Sequence, residues 1–120
     1  MTGSFKDLVV WQKAMDLVEE TYRIAKRLPR EELYALSDQM RRAAVSIPSN
    51  IAEGQVRNST KEYVQFLSVA RGSNAELHTQ LLVCVRLKYV LKDEIFKAIG
   101  LSEEVGKMLL TIIQKLTPDP

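Results

Sequence analysis

The sequence predicts an all-α protein, an up-down-up-down antiparallel four-helix bundle. Apolar residues recur at alternating three- and four-residue steps in four segments, and short polar stretches part those segments. No segment alternates with period two for long enough to make a strand. Helices are expected near residues 8–28, 32–54, 60–91 and 94–116, within one domain spanning 1–120.

In helix one the stripe is Leu8, Trp11, Met15, Val18, Tyr22 and Ala25, closed by Pro29, which has no amide hydrogen and restricts the residue before it. Helix two carries Leu33, Leu36, Met40, Ala43, Ile47 and Ile51. Pro48 conflicts with it and predicts a kink or break near residues 46–48. Either the Ala44 carbonyl loses its donor, or Ser46 caps a fresh segment. After the Gly54–Asn58 loop, Ser59 and Glu62 have the spacing of a capping box. The third stripe follows as Tyr63, Leu67, Ala70, Asn74, Leu77, Leu81, Cys84, Lys88 and Leu91. Asp93 and Glu94 suit the positive end of helix four, whose stripe is Ile95, Ala98, Ser102, Val105, Leu109, Ile112 and Leu116, ended by Pro118. Trp11, Met15, Val18, Leu36, Met40, Leu67, Leu77, Leu81, Leu109 and Ile112 are the expected core.

At 120 residues, with 46% hydrophobic and 27% charged residues, the chain can form one core without staples. Its net charge of +2 is too small to advertise nucleic-acid binding by itself. A lone cysteine, Cys84, excludes an internal disulfide and fits a reducing compartment. The first residues lack a signal-peptide pattern and no apolar run approaches a membrane span, so a cytoplasmic protein with no membrane partner is expected.

Chemistry is sparse. A di-iron bundle needs two Glu-x-x-His motifs, whereas His78 is the one histidine and residue 75 is alanine. There is no phosphate-cradling glycine loop and no zinc ligand set, so no metal or cofactor is expected. Cys84 lies on a core stripe, as a small buried hydrophobe would.

Apolar residues exceed what one stripe per helix needs. Helix one has a second stripe, Val10, Ala14, Leu17, Ile24 and Leu28, and the run Leu81–Leu91 is apolar on every face. Self-association would cover it, with Val10, Leu17, Ile24, Leu82, Val83, Val85, Tyr89 and Val90 as the candidate interface; helix crossing within one chain is the alternative. Polar residues form a second anomaly. Arg42, Ser46, Ser49, Asn50 and Glu53 share one side of helix two, and Arg71, Ser73 and Glu76 can face them across Gly72. They read as a buried network that fixes helix register, or as a polar pocket. Lys26, Arg27, Arg30 and Arg41 are the candidate contacts to an RNA or DNA backbone.

Five motifs occur in order: Phe5-Lys6-Asp7-Leu8-Val9-Val10-Trp11, Gln39 to Ala44, Ser46 to Gly54, Glu62-Tyr63 and Ala70-Arg71-Gly72-Ser73. Together they resemble the four-helix-bundle family of 23S rRNA intervening-sequence proteins, across residues 5–116. The resemblance implies a ring-shaped homopentamer. It extends to the accessory protein of diversity-generating retroelements, which works with a reverse transcriptase and binds nucleic acid. No enzymatic reaction comes with it. The function expected is therefore a non-enzymatic oligomeric adaptor that binds nucleic-acid backbones. A protein-only scaffold is one alternative. The other is a metal-independent ribonuclease, since Arg71 and His78 loosely resemble the arginine–histidine motif of helical-bundle ribonucleases. Seven residues separate that pair by roughly 10 Å along a helix, which is long for sharing one phosphate.

Overall fold

The computed structural model describes residues 4–118. Four α-helices, α1 (Val9–Ala25), α2 (Leu36–Gln55), α3 (Thr60–Arg86) and α4 (Phe96–Leu116), neighbour one another in the cyclic order α1–α2–α3–α4–α1. That is the packing of an up-down-up-down bundle, and the molecule measures 46 × 24 × 20 Å. Among the described residues there is no strand. Three short 3-10 turns, Phe5–Asp7, Arg30–Glu32 and Lys92–Ile95, lead into α1, α2 and α4.

Each helix end follows from local chemistry. Ser59 Oγ accepts the Glu62 amide at 3.0 Å, the forward half of the expected capping box. At the far end α3 stops at Arg86, five residues before the expected boundary. Lys88 turns into the left-handed region (φ 64°), the Tyr89 amide donates to the Cys84 carbonyl at 2.9 Å, and the Lys88 amide to Val85 at 2.9 Å. This is a Schellman cap built on lysine instead of glycine. The apolar run Leu81–Leu91 is thus half helix and half turn. Val90 folds back into the core while Leu82, Leu87 and Leu91 stay exposed.

Helix α2 runs unbroken through Pro48, so the expected fresh segment capped by Ser46 does not form. Pro48 is buried, and Ser46 Oγ is engaged by Ser73 instead. Packing of the ring offsets what the lost backbone bond to Ala44 costs.

The core contains Met40, Leu67, Leu77, Leu81 and Leu109, all fully buried, with Trp11, Val18, Leu36 and Ile112 half-buried against it. Met15, expected inside, is 40% exposed. Helix α1 instead buries its other stripe, Val10, Ala14, Leu17, Thr21 and Ile24, and Leu28 in the turn beyond it is buried too. Small residues at Ala14 and Thr21 let α1 sit close against its neighbours, and the bulkier Trp11, Met15 and Tyr22 fall to the flank. Val10, Leu17, Ile24 and Val90 are consequently core residues of one chain, and cannot be the oligomer interface proposed from sequence.

Glycines divide sharply. A Cβ on Gly54 would lie 2.8 Å from Phe66 Cβ and 2.9 Å from Tyr63 Cδ1, so α2 and α3 meet there by virtue of its absence. At Gly72, expected to allow a close approach, a Cβ would meet nothing within 4 Å. Gly54→Ala should therefore destabilise by about 1–3 kcal/mol through overpacking. Gly72→Ala should stabilise by about 0.5–1 kcal/mol by removing backbone entropy from the unfolded chain. Urea unfolding of the two variants checks the contrast. In the same assay Lys88→Gly should stabilise by about 1 kcal/mol, since glycine carries no penalty at positive φ.

Candidate nucleic-acid interface

Where α1 ends, the chain turns through Lys26 and Arg27, is redirected by Pro29, and re-enters through Arg30–Glu32. Ser37 Oγ donates to the Ala25 carbonyl at 3.3 Å and ties the first turn of α2 to the end of α1. Between them lies a cleft of about 340 Å³ lined by Lys26, Arg30 and Arg41, with Pro29, Leu33 and Ser37 as its less polar wall. Arg41 is held in place, its Nη2 donating to the Leu33 carbonyl at 3.2 Å and its guanidinium 5.9 Å from the Tyr22 ring centroid. Lys26 and Arg30 are exposed and pair with no carboxylate among the described residues. The carbonyl end of α1 favours Lys26 at this position.

Arg27 does not join them. Its Nη2 pairs with Glu94 Oε2 at 2.6 Å, while Glu94 Oε1 accepts the Leu91 amide at 2.7 Å. One carboxylate thus fastens the α3–α4 turn to the end of α1.

Of the polar residues assigned to a shared α2–α3 network, the structure brings three together. Ser46 Oγ and Ser73 Oγ are 2.8 Å apart, and Asn50 Nδ2 donates to the Ser46 carbonyl at 2.8 Å and to Ser46 Oγ at 3.0 Å. The others disperse. Arg42 pairs with Asp38 at 3.0 Å, Glu53 with Arg57 at 2.6 Å, and Glu76 accepts from Gln80 at 3.4 Å. Ser49 lies on an outer groove beside Trp11 and Pro48, and Arg71 faces α4 rather than α2.

A second polar group escaped the sequence reading. Asn74 Nδ2 donates to the Ser102 carbonyl, Ser102 Oγ donates to Asn74 Oδ1, both at 2.9 Å, and His78 Nδ1 lies 3.2 Å from Ser102 Oγ. Asn74 and Ser102 are buried. Their signal was a polar residue on each of two core stripes, and facing stripes had to be paired to see it. This group borders a cleft of about 610 Å³ between α3 and α4, which Arg71 and His78 both line.

Cys84 is fully buried, 3.5 Å from Met40 Sδ, and burial pushes its thiol up to about 11. It is no nucleophile at neutral pH. Among the remaining apolar interface candidates Leu82 is exposed and Val83 and Val85 are half-buried. The Tyr89 hydroxyl donates to Glu32 Oε2 at 2.7 Å, which raises its pKa. Among the described residues no helix is long and apolar enough to cross a membrane, and no three metal-ligating side chains converge.

A family model described as 23S rRNA-intervening sequence protein matches residues 6–111. The chain belongs to this family. Its fold is shared with the crystal structure of a protein of unknown function from the S23 ribosomal protein family of Bacteroides thetaiotaomicron VPI-5482, at TM-score 0.82 and 25% identity. The match covers 88% of this chain and 99% of that one. No curated protein matches.

The two halves of the sequence-derived polar set should behave differently on mutation. Asn50→Ala should cost about 1–2 kcal/mol by removing two donors from a half-buried serine, whereas Glu53→Ala, breaking one exposed pair, should stay within about 0.5 kcal/mol. Thermal unfolding followed by circular dichroism separates them.

Proposed function

We propose that this chain is a non-enzymatic, cytoplasmic adaptor that assembles as a homopentameric ring and holds an RNA or DNA backbone on its repeated basic clefts. The observation that carries the reading is the convergence of Lys26, Arg30 and Arg41 on one cleft, with Lys26 and Arg30 unneutralised by any described carboxylate. Side chains that meet phosphates and not base edges give salt-sensitive, sequence-tolerant binding. One chain carries +2, and five copies carry +10, so weak contacts add through multivalency. The family's description places it with the intervening sequences of 23S rRNA, a nucleic-acid context that accords with the backbone-binding half of the reading.

For assembly, the support is an apolar groove of about 300 Å³ on the outer side of α1 and α2, walled by Trp11, Met15, Val18, Val45 and Pro48. Met15 and Val45 are each about 40% exposed there. Covering such surface in a closed ring is the economical outcome for identical chains.

The competing ribonuclease reading draws on one observation, that Arg71 and His78 line the same cleft. Against it, His78 Nδ1 is held by a buried serine.

Light scattering should give a particle near 68 kDa, five times the 13.6 kDa chain. A 13.6 kDa particle at micromolar concentration rules the ring out. Labelled structured RNA should be retained without cleavage, with affinity falling steeply as salt rises, and Lys26→Glu with Arg30→Glu should lower that affinity about tenfold or more. Unchanged affinity in the double variant rejects the basic cleft. Cleavage lost in His78→Ala selects the ribonuclease.

A further inference from the structure

We propose that the cleft between α3 and α4 is a second, separate ligand site, which takes the phosphate group of a phosphomonoester of about nucleotide size. Arg71 on α3 and Lys107 on α4 both line it, and neither pairs with a carboxylate among the described residues. The Asn74–Ser102 bond fixes the antiparallel register of the two helices. Three residues before Asn74 stands Arg71, level with the turn of α4 three or four residues beyond Ser102, one position from Lys107. The two cations therefore stand at the same end of the cleft on opposite walls. A guanidinium fork and an ammonium placed so suit the several oxygens of a phosphate.

Its other end has a defined polarity. Asn74 Nδ2 donates to the Ser102 carbonyl, so Asn74 Oδ1 is the acceptor and takes the Ser102 hydroxyl proton. With that proton spent, Ser102 Oγ accepts from His78, and Nδ1 carries the hydrogen. When the ring is neutral, Nε2 is the acceptor left for a ligand hydroxyl or amine. About 10 Å of helix separates Arg71 from His78, and the cleft holds about 610 Å³, dimensions that suit a phosphate with a sugar or base attached. Gly106 also lines it, and a Cβ there would lie 3.2 Å from Asn74 Nδ2, crowding the amide that holds the register. Glu103 lines the rim and opposes an anion.

Titrating the ¹⁵N-labelled assembly with adenosine 5′-monophosphate should move resonances of residues 71–79 and 102–110 saturably, with the His78 ring nitrogens among them. Adenosine should not. Arg71→Ala and Lys107→Ala should each weaken binding about tenfold without lowering Tm, because both side chains are exposed. Glu103→Gln should tighten binding two- to threefold. The Lys26→Glu, Arg30→Glu double variant should bind the nucleotide normally, which keeps this site distinct from the basic cleft. An oligonucleotide with a 5′-phosphate that moves these resonances while its 5′-hydroxyl counterpart does not, and that loses the effect in Arg71→Ala, upholds phosphate recognition with a nucleic-acid end as its source. The proposal is overturned if no probe moves the cleft resonances at millimolar concentration, if both oligonucleotides act alike, or if Arg71→Ala and Lys107→Ala bind as well as the parent.

Discussion

Two consecutive residues of α3 hold the register of the bundle. Ser73 bonds to Ser46 on α2, and Asn74 exchanges two hydrogen bonds with Ser102 on α4. Neighbouring residues on a helix point about 100° apart, so one short segment addresses both flanking helices. Apolar contacts tolerate sliding, because one leucine layer resembles the next. A hydrogen-bonded polar pair tolerates less, and slipping by a turn would strand its donors and acceptors, at greatest cost for the buried Asn74 and Ser102. The longest helix is therefore the one whose position is most exactingly set, and the others are placed against it. Gly54 adds a steric pin to the same seam, where α2 approaches Phe66 and Tyr63 too closely for any side chain.

The same bonds that fix register also shape the surface. Asn74 and Ser102 lie beneath the α3–α4 cleft and orient His78 at its edge, so architecture and ligand-facing chemistry share atoms. By contrast the basic cleft at the α1–α2 turn owes its form to helix termini. Ser37 seals the end of α1, and Arg41 is braced by a backbone carbonyl, while Lys26 and Arg30 are exposed without a described carboxylate partner. A braced arginine loses less entropy on meeting a phosphate than an unbraced one would.

Glu94 shows how a charge that reads as ordinary acquires a role from its position. On sequence it is one of two acidic residues suited to a helix start. In the fold it caps the Leu91 amide and pairs with Arg27, linking two turns that are distant along the chain. That link removes Arg27 from the basic cleft and leaves Lys26, Arg30 and Arg41 there.

The sequence by itself determined the helix count, their order and the character of most boundaries, because periodicity, Pro29, Ser59 and Pro118 are local signals with local physical causes. It also determined the family, through motifs spread along the chain. Tertiary structure decided what depends on a partner surface. Helix one offered two apolar stripes of equal periodicity, and only the approach of α2 and α4 selected Val10, Ala14 and Leu17 over Trp11 and Met15. Helical spacing placed Arg42, Ser46, Asn50 and Glu53 together, but charged side chains long enough to reach solvent found partners one turn away. Only the short Ser46 and Asn50 stayed in the seam. Asn74 stood on a core stripe; its meaning required Ser102, twenty-eight residues later, to arrive opposite it. Periodicity says which residues share a face, and only packing says what that face meets.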